Sequence, residues 1–298
     1  MNRESIAEAF RKIQEEICQN LERIDGTGKF SEDKWDREGG GGGTSKVLQN
    51  GSVIEKGGVN FSAVYGDVPA FLKSVDMKGG EQFFATGVSI VLHPHNPFVP
   101  IIHMNIRYFE LSNGKYWFGG GIDLTPHYVS KELASSFHQK LKATCDKFDS
   151  DYYRIFKKQA DDYFFIPHRN ETRGAGGIFF DHLSESENHN KQHLFDFTCA
   201  VGKTFIACYE EQVEANRHKP ATDRQKQWQL LRRGRYVEFN LVYDKGTKFG
   251  LETNGRAESI LMSLPVTASW LYNHVPEKNS EEEKTLGLLK KDVDWLKG

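Results

Sequence analysis

The 298 residues carry a formal net charge of −2, which excludes the global field that draws a protein to nucleic acid or an anionic membrane. With 38% hydrophobic residues, including 21 Phe, 11 Tyr and 5 Trp, the chain can fill a sizeable core, yet no apolar run approaches the roughly 20 residues of a membrane span. The four cysteines, Cys18, Cys145, Cys199 and Cys208, form no CxxC pair and read as reduced, buried thiols.

In chain order, residues 5–24 place Ile6, Phe10, Ile13, Ile17, Leu21 and Ile24 on one stripe, the pattern of an amphipathic helix. The N-terminal residues 1–17 hold Glu4, Glu8, Glu15 and Glu16, unlike an acid-poor transit peptide, so a cytoplasmic location is expected. The run Gly39–Gly43 is followed by Thr44-Ser45-Lys46, not by Lys-Ser/Thr, and no apolar strand precedes it. A phosphate loop or dinucleotide fingerprint therefore fails, and a flexible loop or lid is expected.

Four strand-like runs follow, at 59–65, 82–92, 101–110 and 116–124, joined by turn formers such as Asn113-Gly114. With no helix between them they should pair antiparallel. Helical patterns occupy 131–148, 149–163 and 192–214. Residues 235–243 read as a late strand whose hairpin mate is 249–253, about Asp244-Lys245-Gly246. Short helices close the chain at 258–262 and 281–296. With no repeat and no long linker, the sequence predicts one α+β domain spanning 1–298: a single large antiparallel sheet flanked by helices on both sides.

Within the third run, Ile102, Met104, Ile106 and Tyr108 alternate with His103, Asn105 and Arg107. The first set suits a core. The second presents an imidazole, a carboxamide and a guanidinium about 7 Å apart, able to exchange a proton, fix a polar group and clamp a carboxylate. This face reads as the floor of a site for an anionic ligand. His93, His95 and His103 cluster in sequence, with His138 and His168 further on, but His103-x-Asn105 lacks the carboxylate of an iron triad and HExxH is absent. No catalytic metal is expected. In the segment from His168 to Asp181, Arg169 and Arg173 either contact a ligand or form an ion-pair set with Glu171. Asp123 and Asp244, each ending an apolar run, either cap a turn or enter a cavity. Arg256 opens a helical pattern after the Asn254-Gly255 turn, a good place for anion recognition.

The stretches GGGGGTSKVLQNG, EKGGVNFSAVYG, GVSIVLHPHNPFVPIIHMNIRYFE, YWFGGGIDLTP, HRNETRGAGGIFFD, GRYVEFNLVYDKGTKFG and NGRAESILMSLP resemble the oxygen-dependent coproporphyrinogen III oxidases nearly end to end. Two departures, Lys157-Lys-Gln-Ala160 and Ala175, read as packing changes. The resemblance implies oxidative decarboxylation of two propionates of coproporphyrinogen III to vinyls, with dioxygen as co-substrate and no organic cofactor. It implies a homodimer and, if any divalent metal is held, histidines matching His93, His103, His138 and His168. Carried onto this chain, Ser89, Asn105, Arg107, Asn254, Gly255 and Arg256 would bind substrate. His103 would move a proton, and Asp244, or failing that Asp123, would meet the pyrrole N–H groups.

Overall fold

The computed structural model describes residues 1–68, 81–252 and 255–297. Helix α1 (Arg3–Asp25) is followed by the strands β1 (Ser31–Asp36), β2 (Gly41–Gln49), β3 (Ile54–Asp67), β4 (Gln82–Pro94), β5 (Ile101–Leu111) and β6 (Tyr116–Thr125). Helices α2 (Lys131–Cys145) and α3 (Tyr152–Tyr163) follow, then a two-residue ladder, β7 (Phe165–Ile166) with β8 (Glu171–Thr172), and strand β9 (Gly176–Leu183). Helices α4 (Lys191–Asn216), α5 (Asp223–Val242), α6 (Lys245–Glu252), α7 (Ala257–Leu261) and α8 (Glu281–Leu288) complete the chain. The main sheet is seven-stranded, in the order β1-β2-β3-β4-β5-β6-β9, and every pairing is antiparallel.

One face of the sheet forms the core. Val88, Ile90, Ile102, Met104, Ile106, Phe118 and Ile122 are all fully buried, joined by the stripe of α1 and by Leu194, Phe197, Val201 and Phe205 of α4. Burying side chains of this size is worth about 1.5–3 kcal/mol each, so this layer fixes the register of β4 to β6. On the opposite face Tyr236 of α5 packs on Val91 and Ile101, and Met262, just past α7, fits the space over Gly58. Helices thus lie on both faces, as the sequence predicts. On the second face, Ser89, Asn105 and Arg107 remain only partly covered.

Three expectations are corrected. The glycine run is no lid. Residues 41–43 are the start of β2, all three paired with β3 and Gly42 and Gly43 also with β1, and the ring of Trp35 lies so close to Gly43 that a Cβ there would sit 2.4 Å from it. Gly40 and Gly41 make the tight turn with φ of +112° and +78°, open to glycine. Residues 235–243 form the end of a helix, not a strand, and their supposed hairpin mate falls in α6 and on residues outside those described. The alternation there is local. Over a longer window Trp228, Leu231, Arg232, Tyr236, Phe239 and Asn240 are buried at helical spacing, after a Thr222–Gln225 capping box. The buried Arg232 and Arg233 hide that stripe from a reading by hydrophobicity. Finally, α8 stops at Leu288, well short of 296.

Candidate active site

Antiparallel pairing aligns one transverse row across the partly open face: Asp33, Ser45, Asn60, Ser89, Asn105, Gly121 and Phe179, each opposite the next. In the row to one side, Gly87, Arg107 and Gly119 are opposite one another; to the other side stand Val91, His103 and Asp123. The polar set of β5 is therefore continuous with Ser89 on β4. The glycines at 87 and 119 have a steric reason. A Cβ on Gly119 would lie 2.6 Å from Arg107 Nε, so the guanidinium rests on bare backbone.

Arg107 Nη1 donates to Asn105 Oδ1 at 3.0 Å, and Nη2 pairs with Asp181 Oδ1 of β9 at 2.9 Å. Burial opposes ionisation of Asp181, but the Arg107 charge and hydrogen bond outweigh it, and its carboxyl is held below the usual range.

One row over, His103 Nδ1 lies 2.8 Å from Asp123 Oδ1. Arg173 Nη2 donates to both Asp123 oxygens, at 2.7 and 2.8 Å, and its Nη1 donates to Asn240 Oδ1 at 3.0 Å. Asp123 and Arg173 are 1% and 2% exposed. Their charges are out of water but matched, and the rings of Phe164, Tyr236 and Phe239 enclose the guanidinium. Burial alone would raise the Asp123 pKa; Arg173 and His103 more than offset it, so the carboxylate stays ionised. An ionised Asp123 accepts from Nδ1–H, which leaves Nε2 of the neutral imidazole as the ring's acceptor. Asp123 neither caps a turn nor faces an open cavity. It orients His103. Its two oxygens together accept three hydrogen bonds, one from His103 and two from Arg173.

Asp244 follows α5 and begins α6. Its Oδ2 accepts from Thr247 N at 2.7 Å and Thr247 Oγ1 at 2.8 Å, and its Oδ1 accepts from Tyr163 Oη at 2.9 Å. The capping role is therefore realised, at a helix start and not at a strand end. Asp244 is half-buried, and burial pushes its pKa up, but the Thr247 N–H and the nearby charges of His103 and Arg173 bring it down overall. Tyr163, which donates to Asp244, packs edge-on against Phe164, whose ring lies 6.2 Å from that of His103, so Asp244 stands on the His103 side of the face.

Arg256 stands at the N-cap position of α7 without a side-chain capping bond and pairs with Asp33 on β1, while among the described residues its buried Nη1 has no hydrogen-bond partner. Beside it a cavity of about 240 Å³, lined by Ser45, Lys56, Ser259 and Met262 among others, opens between α7 and strands β1 to β3. Gly255 N donates to Gly250 O at 2.8 Å. Asn254 lies outside the described residues. By strand count Asp33 and Asn105 are four spacings apart, about 19 Å along the sheet, so Arg256, paired with Asp33, and Arg107, beside Asn105, lie well apart along the row.

The histidines do not share a site. His93 Nε2 meets Ser263 O; His138 lies between Tyr153 Oη and Ala175 O; His168 lies between Tyr243 Oη and Glu238. Among the described residues no three His, Cys, Asp or Glu side chains converge in a way that holds a metal ion. Arg169 and Glu171 pair separately with Glu238 and Arg232, so with Arg173 they make three distinct ion pairs and not one set. Sequence reading assigned no role to Asp181, Tyr163 or Asn240. The only signal was their place beside segments already singled out.

Comparison with known proteins follows the same direction. A family model described as coproporphyrinogen III oxidase matches residues 5–295. The chain is similar to the oxygen-dependent coproporphyrinogen-III oxidase, chloroplastic, of Glycine max, at 50% identity over 96% of this chain and 78% of the relative. The protein of the same name, without the organelle, from Drosophila melanogaster is 50% identical over 96% and 76%. That of Prochlorococcus marinus (strain MIT 9312) is 45% identical over 99% and 93%.

Proposed function

The chain belongs to the coproporphyrinogen III oxidase family, and from that premise we propose that the partly open sheet face is where its chemistry takes place. The reaction is the oxygen-dependent oxidative decarboxylation of coproporphyrinogen III in haem biosynthesis: two propionates become vinyls, giving protoporphyrinogen IX, carbon dioxide and hydrogen peroxide. Each propionate loses its carboxylate carbon as carbon dioxide and a hydride equivalent to dioxygen, which with one proton forms hydrogen peroxide.

The observation that carries the reading is the row Ser89–Asn105 with Arg107 beside it and His103 pinned by Asp123. A propionate is held by the guanidinium of Arg107, with Ser89 and Asn105 adding neutral hydrogen bonds. Arg256, whose buried Nη1 has spare donor capacity, takes a second carboxylate. His103 moves the proton through Nε2, its tautomer fixed by Asp123. Asp244 keeps lone pairs beyond its capping bonds and accepts from pyrrole N–H groups, favouring the electron-rich ring that reduces dioxygen. Asp123 is a positioning residue.

The proposal needs neither organic cofactor nor metal, since the chain's part is to orient, desolvate and move protons. Four separately committed histidines support that. Val266, Trp270, Leu271 and Val275 are more than half exposed in the segment after α7, and burying that apolar surface supports a homodimer. No described helix is long and apolar enough to cross a membrane.

The test is turnover of chemically reduced coproporphyrin with and without oxygen, before and after exhaustive chelation. Oxygen-dependent vinyl formation that survives chelation is expected. Activity lost on chelation and restored by one specific metal would overturn the cofactor-free mechanism.

A further inference from the structure

Both arginines assigned to substrate carboxylates already hold an aspartate of this chain. Arg107 pairs with Asp181 and Arg256 with Asp33. Neither pair is sealed: side-chain exposure is 35% and 28% for the first, 33% and 53% for the second. This contrasts with Arg173–Asp123, at 2% and 1%. A matched pair in a core is permanent, whereas a half-exposed pair is worth at most about 1 kcal/mol and exchanges readily. Asp181 is set for exchange in one more way. The next residue, His182, has a left-handed φ of 52°, donates its N–H to Asp181 Oδ1, and lies flat on Trp117 at 4.9 Å. The carboxylate is thus supplied with a second donor that remains when Arg107 turns to another anion.

We infer that Asp181 is a resident stand-in for a substrate carboxylate, displaced from Arg107 when a propionate binds and restored when that propionate leaves as carbon dioxide. The inference rests on the reading of Arg107 given above. Decarboxylation exchanges a carboxylate for a neutral vinyl, so the anion that held Arg107 disappears with the chemistry. Arg107 would then stand half-buried and unpaired beside an apolar group. Re-pairing with Asp181 relieves this and ejects the vinyl from the subsite, clearing it for the second propionate. Asp33 is placed to do the same for Arg256. Asp181 is a positioning residue that sets the balance between holding substrate and releasing product.

The experiment compares wild type with Asp181→Asn and Asp181→Glu. Binding of reduced coproporphyrin is titrated without oxygen; single-turnover and steady-state rates are then measured in air. Asp181→Asn should bind substrate about fivefold more tightly, the conversion of roughly 1 kcal/mol for the competing pair. Its first decarboxylation should run at the wild-type single-turnover rate, while its steady-state rate falls and monovinyl product stays bound. Asp181→Glu should restore release. Weaker binding by Asp181→Asn at unchanged melting temperature would show that Asp181 only props Arg107, and overturn the exchange. Equal binding and equal steady-state rates would overturn it as well. Arg107→Ala, run alongside, tells the two readings apart: if it binds substrate like wild type, the assignment of Arg107 fails, whatever Asp181 does.

Discussion

Replacing Asp123 by Asn tests how the site is built. The carboxylate receives two bonds from Arg173 and one from His103. The amide keeps a single acceptor oxygen, sets an NH2 against a guanidinium that can only donate, and leaves a charge 2% exposed without its partner. Neutralising one member of a buried pair costs about 3–5 kcal/mol. At about 2 °C per kcal/mol for a chain of this size, the melting temperature should drop by roughly 6–10 °C. His103 loses its anchor in the same step, so the maximal rate should fall as well. Asp244→Asn is the control with the opposite signature. Asn caps a helix nearly as well as Asp, so less than about 1 kcal/mol is lost, while the rate should fall about 10²-fold if the carboxylate accepts from pyrrole N–H groups. Thermal unfolding by circular dichroism and initial rates under air measure both. An unchanged melting temperature in Asp123→Asn would refute the argument that Arg173 depends on it. Wild-type turnover in Asp244→Asn would reduce Asp244 to a cap.

Gly119→Ala should raise KM for the substrate while leaving kcat within about twofold, because a methyl group 2.6 Å from Arg107 Nε displaces the guanidinium and touches nothing at His103; an unchanged KM would show that Arg107 has room to yield. Asp25 should make the fold acid-sensitive. Although fully buried, it accepts from the N–H groups of Gly28, Ser52, Val53 and Ile54 at 2.7 to 2.9 Å, which bring its pKa down from 3.8 to about 2. A depressed folded-state value adds stability above the unfolded pKa of 3.8 that is lost as pH falls through about 2. Asp25→Asn should accordingly be less stable at neutral pH, with a shallower loss over that acid window; parallel acid limbs for the two proteins would contradict this.

What could be read from the sequence follows from what is local. The alternation in β5 is visible because a face buried against α1 and α4 permits only a period of two, and the same constraint places Ser89 beside Asn105 once β4 and β5 pair. The site's supports are not local. Arg173 reaches Asp123 across 50 residues, and Asn240 reaches Arg173 across 67. Only the placement of β9 next to β6 and of α5 above them brings these groups together. Helix α5 itself was misread because Arg232 and Arg233, buried and paired with Glu171 and Glu55, occupy positions where hydrophobicity predicts an apolar residue. Asp244 precedes a helix and does not end a strand, because the run before it is the end of α5.

The central claim is that Arg107 on the sheet face holds a carboxylate of the substrate. Its most direct test is anaerobic titration of wild type and Arg107→Ala with reduced coproporphyrin and with its methyl ester, which keeps the macrocycle and removes the charges. A charge-assisted bond of about 1.5–3 kcal/mol should make the variant bind the acid roughly ten- to hundredfold more weakly, with little difference between the two proteins for the ester. Equal affinity of both proteins for the acid would contradict the account.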